Sequence, residues 1–156
     1  MTIEMIAFDA DDTLWHAEVI FRDAEEKFCQ ILLPWQDRET IQSTLFEIET
    51  RNISRYGFGA KSYTFSMIET ALALSDNEIS GQGISKILKI GQDMLDAEFK
   101  LLPGVHETLK SLSGAYPMMV ITKGDLLEQT SKIHRSGLSE YFDFIEVLSN
   151  KSVGAY

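Results

Sequence analysis

The sequence predicts an α/β protein, a small parallel-sheet core interrupted by an all-α bundle. Three observations carry that expectation. A nearly continuous apolar run from Ile3 to Phe8 breaks off in a burst of acid. From about Ala17 to Phe99 no strand signal appears, and apolar residues recur at helical spacing. Beyond Leu102 the pattern returns to helix, strand, helix, strand.

In the first segment Ile3, Ile6 and Phe8, with Met5 and Ala7 between them, read as a strand buried on both faces. Asp9-Ala10-Asp11-Asp12-Thr13 follows at once. Three carboxylates within four residues repel one another and raise their own pKa values unless a cation or hydrogen bonds compensate. Hard oxygen ligands of this kind suit Mg²⁺, which prefers one or two carboxylates with waters and substrate phosphate. Residues two apart can face one reacting centre from a tight turn, so Asp9 can attack while Asp11 moves a proton.

The middle of the chain divides into four helical stripes. Ile20, Ala24, Phe28 and Ile31 mark the first, which Pro34 closes. Ile41, Leu45, Ile48 and Asn52 mark the second, with Asp37 as its N-cap. After the Tyr56-Gly57-Phe58-Gly59 break, Phe65, Ile68 and Leu72 mark a third, joined by Met67, Ala71 and Leu74. Ile84, Ile87, Leu88, Gly91, Met94 and Leu95 mark a fourth. Four amphipathic helices with short connections make a bundle.

Leu102-Pro103-Gly104 re-enters the core. Val105, Leu109 and Leu112 give a short helix that Gly114 can end, and Tyr116-Pro117 leads into the strand Met118 to Ile121. That strand stops at Thr122-Lys123-Gly124-Asp125. A helix with Leu126, Thr130 and Ile133 on its face follows, then a strand around Phe144 to Leu148 ending in Ser149-Asn150-Lys151. Parallel strands joined by right-handed crossovers place ligands outside their carboxyl ends. Asp9, Thr122 and Lys151 all fall there.

Asp9-Ala10-Asp11-Asp12-Thr13 resembles the first motif, DxDxT, of the haloacid dehalogenase (HAD) superfamily, in its phosphatase branch. Val120-Ile121-Thr122-Lys123-Gly124 resembles the second motif, and Lys151 falls where the third is expected. The resemblance implies a HAD-like Rossmannoid core, 1–15 with 103–156, and an inserted helical cap, 16–102, that shields the site from water. It further implies a Mg²⁺-dependent phosphohydrolase that acts on a small phosphorylated metabolite through an aspartyl-phosphate. Asp9 is then the nucleophile and Asp11 the acid and base. Thr122, Lys123 and Gly124 hold the phosphoryl group, and Lys151 offsets its charge, with Lys123 competing for that role. Mg²⁺ would bind the Asp9 carboxylate and the Asp11 backbone carbonyl. An acid at position 11 separates this reading from the dehalogenase branch, which has no ester oxygen to protonate.

The family's fourth motif, a pair of acids after a further strand, has no counterpart before Tyr156. The chain therefore reads as C-terminally truncated, with a weakened metal site and an open sheet edge that admits a homo-oligomer. The alternative reading is a non-catalytic phosphate- or Mg²⁺-binding or interaction module derived from such a hydrolase.

Composition narrows the classes. A net charge of −10 opposes nucleic acid and anionic membrane as partners. No apolar run approaches the ~20 residues that span a bilayer, and no signal-peptide pattern opens the chain, so a cytoplasmic location is expected. The lone Cys29 falls in an apolar helical stripe and reads as packing. His106 and His134 are not spaced as metal ligands, and His16, next to the acidic run, reads as a surface or packing residue. Gly57-x-Gly59 and Gly81-x-Gly83 follow no strand, so they are helix connections rather than a dinucleotide fingerprint. Arg51, Arg55 and Lys61 read as solvated helix ends.

Overall fold

The computed structural model describes residues 3–149. In chain order the elements are β1 (Ile6–Phe8), α1 (Glu18–Leu32), α2 (Arg38–Tyr56), α3 (Ala60–Leu74), α4 (Gly81–Asp96), α5 (Val105–Leu112), β2 (Met118–Lys123), α6 (Leu126–Arg135), a 3₁₀ turn (Ser139–Tyr141) and β3 (Phe144–Leu148). Contacts divide the chain between Glu18 and Val19, and again between Ala97 and Glu98, into two compact units.

The discontinuous unit is α/β. Its sheet has the order β1-β2-β3, with both pairings parallel. Ile6 lies opposite Met118 and Phe8 opposite Val120; on the other side of β2, Thr122 lies opposite Val147 and Lys123 opposite Leu148. The core is built by Leu14, Trp15, Leu109, Met118, Val120, Ile133 and Leu138, with Ile6 and Phe8 packed against it. Burial on both faces belongs to β2, where Met118, Val120, Ile121 and Thr122 are all buried. For β1 the two-sided expectation fails. Ile3 is 60% and Met5 40% exposed, and Ala7 is exposed as well. Side chains alternate along a strand, and among the described residues β1 pairs only with β2, so just its Ile6 and Phe8 face meets the core.

The second unit, Val19 to Ala97, is the four-helix bundle. Phe28, Leu32, Ile41, Leu45, Met67 and Ile87 are fully or almost fully buried at its centre, with Cys29 among them. In α2 the buried residues are the four that the spacing marks, and Asp37 caps the helix by accepting from the Thr40 N–H at 2.8 Å. In α3 the buried face departs from the apolar stripe. Phe65 is 51% exposed and lies against Tyr56, whereas Ser62, Ser66 and Thr70 are buried. Small residues allow close helix approach, and the hydroxyls of Ser66 and Thr70 are satisfied. Ser66 donates to the Ser62 carbonyl at 3.0 Å and Thr70 to the Ser66 carbonyl at 2.8 Å, while Asn52 of α2 donates to Ser66 Oγ at 3.2 Å. Among the described residues no helix is long and apolar enough to cross a membrane.

Partial burial pushes the Glu49 carboxyl above its ordinary 4.5, with the charge of Glu25 adding to the rise. A folded-state value above the unfolded one favours the protonated fold. This contribution is therefore full below the unfolded value and lost as pH rises through the folded one. Glu49→Gln should raise the thermal midpoint at about pH 8 and leave it nearly unchanged at about pH 3.5, where the parent carboxyl is mostly protonated in both states. An equal shift at both pH values contradicts this.

Candidate active site

Parallel pairing with Phe8 opposite Val120 sends β1 and β2 out of the sheet at the same edge. Asp9 follows β1 directly and is exposed, and Thr122, in the last two residues of β2, is buried. The third strand ends at this edge too, where the Gly124 N–H donates to the Leu148 carbonyl at 3.0 Å. Topology thus brings Asp9, Asp11, Thr122, Lys123 and Gly124 to one edge. Lys123 is exposed. Lys151 lies outside the described residues.

The loop after β1 is tightly wound. Thr13 and Leu14 N–H groups donate to the Ala10 carbonyl at 3.1 and 2.8 Å, and Asp12 donates to the Trp15 carbonyl at 2.8 Å from a left-handed conformation. Winding of this kind separates the three acids. Asp9 meets the Thr13 hydroxyl at a long 3.5 Å. Asp12 turns back on the chain leading to α1, accepting from the N–H groups of Ala17 at 2.9 Å and Glu18 at 3.2 Å. Asp11 turns to the core. Its Oδ1 accepts from Trp15 Nε1 at 2.7 Å, its Oδ2 from Gln129 Nε2 at 2.8 Å, and Lys132 Nζ lies 3.3 Å from both oxygens.

Two of those partners come from α6, which Asp125 starts by accepting from the Glu128 N–H at 3.0 Å. Here the apolar stripe misplaces the buried face. Leu126 is 68% and Leu127 74% exposed, while Glu128, Gln129, Lys132 and Ile133 are buried. The reason is electrostatic. Lys132, 4% exposed, is held between Asp11 and Glu128, the latter at 3.1 Å, with its Nζ 5.5 Å from the centroid of Phe99. A buried charge persists when it is paired. Gln129 also donates to the Lys123 carbonyl at 3.3 Å, and a Cβ at Gly124 would come within 2.9 Å of that same nitrogen. With φ of 145°, Gly124 is thus required on both counts.

Lys132, Gln129 and Trp15 are the site residues that sequence reasoning misses. Glu128 and Lys132 stand four apart on a helix, which is the ordinary pattern of a solvated surface pair. Nothing local announces that both are buried.

Among the described residues no group of three or more His, Cys, Asp or Glu could hold a metal. What the loop offers is the exposed Asp9 carboxylate and the Asp11 backbone carbonyl, the Asp11 side chain being committed to α6. Two hard oxygens fit a Mg²⁺ ion that keeps waters and draws further ligands from a phosphate.

A parallel α/β core with an acidic loop at its carboxyl edge, and a helical unit inserted after that loop in sequence, is the architecture of the HAD-like hydrolases. The chain belongs to that family: the model for haloacid dehalogenase-like hydrolases matches residues 3–154. A haloacid dehalogenase-like family hydrolase from Xanthomonas campestris is 41% identical, with a TM-score of 0.93 over 99% of this chain and 65% of its own. This chain therefore spans about two-thirds of that relative's length. The HAD-hydrolase YfnB of Bacillus subtilis, solved bound to magnesium, shares the fold at 16% identity and TM-score 0.61 (92% of this chain, 64% of that one). So does a 2-haloacid dehalogenase from Pseudomonas syringae pv. Tomato, at 22% and 0.54 (94% and 64%). No curated protein matches the chain.

Asp12 is thus a structural acid. Asp12→Ala should leave the Ala17 and Glu18 donors without their acceptor and lower stability by about 1 kcal/mol in urea unfolding. An unchanged midpoint would show that these hydrogen bonds contribute nothing.

Proposed function

We propose that this chain carries the phosphoryl-transfer site of a Mg²⁺-dependent phosphohydrolase for a small phosphorylated metabolite, working in the cytoplasm. The observation that supports it best is the contrast between two acids two residues apart. Asp9 is exposed at the carboxyl edge of the sheet, as a nucleophile must be, while Asp11 is held by buried donors. Solved relatives in fold include a dehalogenase, so the choice of chemistry rests on Asp11. Displacing halide needs no proton, whereas displacing an alkoxide does.

In this mechanism an Asp9 oxygen attacks phosphorus in line and the bond to the leaving oxygen breaks. Asp11 gives that oxygen a proton. It then takes one from the water that attacks the aspartyl-phosphate, which releases phosphate, returns Asp9 as a carboxylate and returns Asp11 to its protonated form. The Thr122 hydroxyl and the backbone around Gly124 orient the phosphoryl oxygens. Positive charge comes from Lys123 or Lys151. Mg²⁺, held by the Asp9 carboxylate and the Asp11 carbonyl, would supply charge neutralisation at the phosphoryl group.

The test is hydrolysis of an aryl phosphate with and without Mg²⁺, comparing the parent with Asp9→Asn. Metal-dependent turnover that disappears in the variant supports the enzyme. Phosphate binding without turnover in the parent would support a non-catalytic binding module instead, and equal rates in both proteins would refute the nucleophile.

A further inference from the structure

Asp11 is gripped from one side only. Its side chain remains 29% exposed, yet Trp15, Gln129 and Lys132, which hold it, are 0%, 2% and 4% exposed. A carboxylate has about four lone-pair sites, and three donors converge on this one, Trp15 on Oδ1, Gln129 on Oδ2 and Lys132 between the two oxygens. The Gln129 amide shows how firmly the direction is set. Its Nε2 faces Asp11 and the Lys123 carbonyl, while its Oε1 is buried with no hydrogen-bond partner among the described residues. Reversing the amide would set oxygen against the carboxylate, so the side chain leaves its acceptor unpaired in order to donate.

We infer that Lys132 and Gln129 are positioning residues, which fix the Asp11 carboxylate from behind so that its exposed side meets the leaving oxygen. This rests on Asp11 being the proton carrier of the proposed hydrolase. A structural ion pair would need only charge opposite charge. Here two donors of different shape, one turn apart on α6, meet both oxygens of a carboxylate more than a hundred positions away in sequence and define its plane. Lys132 has a second partner in Glu128, 3.1 Å away. It can therefore loosen its 3.3 Å contacts to Asp11 as the substrate arrives without becoming an unpaired buried charge. Gly124 belongs to the same arrangement, since a side chain there would displace the Gln129 nitrogen. The phosphate-binding turn and the acid are thereby set by one amide.

The experiment is a kinetic double-mutant cycle on this chain with an aryl phosphate and Mg²⁺, using Lys132→Met, Lys132→Arg, Asp11→Asn and the Lys132→Met/Asp11→Asn pair. Lys132→Met should lower kcat at least about tenfold with KM within about twofold, and Lys132→Arg should recover most of the loss. In the Asp11→Asn background Lys132→Met should change kcat by less than about twofold, because the group it positions is gone. Removing Lys132 leaves Glu128 uncompensated, so Lys132→Met is also compared with its parent in a Glu128→Gln background that keeps Asp11, where the neighbouring carboxylate is gone and the same loss of kcat is expected. Folded Lys132→Met with parental kcat, or a loss of equal size with and without Asp11, would overturn the inference. If the parent turns over, Asp9→Asn does not and Lys132→Met is unaffected, the positioning role alone fails. If the parent shows no metal-dependent turnover, the hydrolase reading fails and takes this inference with it.

Discussion

Three carboxylates crowded behind a short strand repel one another unless the fold separates them and supplies partners. The loop resolves this by giving each a different partner. Asp12 takes two backbone N–H groups, Asp11 takes the buried donors of α6 and Trp15, and Asp9 stays exposed with a distant Thr13 hydroxyl. The tight turns at Ala10 and the left-handed backbone at Asp12 turn the side chains apart. Chemical difference between Asp9 and Asp11 follows from this sorting, since nothing in the residue type distinguishes them.

Sorting the acids shapes the rest of the α/β unit. Burying Lys132 demands that α6 turn its charged face inward, which leaves Leu126 and Leu127 outside at more than two-thirds exposure. An apolar alternative often packs at least as stably. Retaining two carboxylates around one ammonium is the arrangement to expect where a carboxylate must stand in a defined place. Trp15 serves both ends of the problem, as a fully buried core residue whose indole N–H reaches Asp11.

Much of this was legible in the sequence. Apolar periodicity marked every helix and strand, including the buried face of α2 and its Asp37 cap, because there burial and hydrophobicity coincide. It failed where they part. In α3 the buried face carries Ser62, Ser66 and Thr70, the last two with hydroxyls bonded within the helix, and in α6 a charged pair. At β1 the two-sided burial read from the run of apolar residues belongs instead to β2, the central strand. The convergence of Asp9 with Thr122 and Gly124 was readable because parallel topology alone delivers strand ends to one edge. Lys132 was not, since its partner Asp11 lies 121 positions away and its only visible neighbour, Glu128, looks like a surface pair.

The central claim is that Asp9, the exposed member of the trio, receives the phosphoryl group. Enzyme quenched in acid during turnover of an aryl phosphate and then reduced with borohydride converts an acyl phosphate to the corresponding alcohol, which mass spectrometry locates in a peptide. Reduction confined to position 9 is the predicted result. Steady turnover with Asp9 unmodified, or reduction at Asp11 or Asp12 instead, would contradict the account.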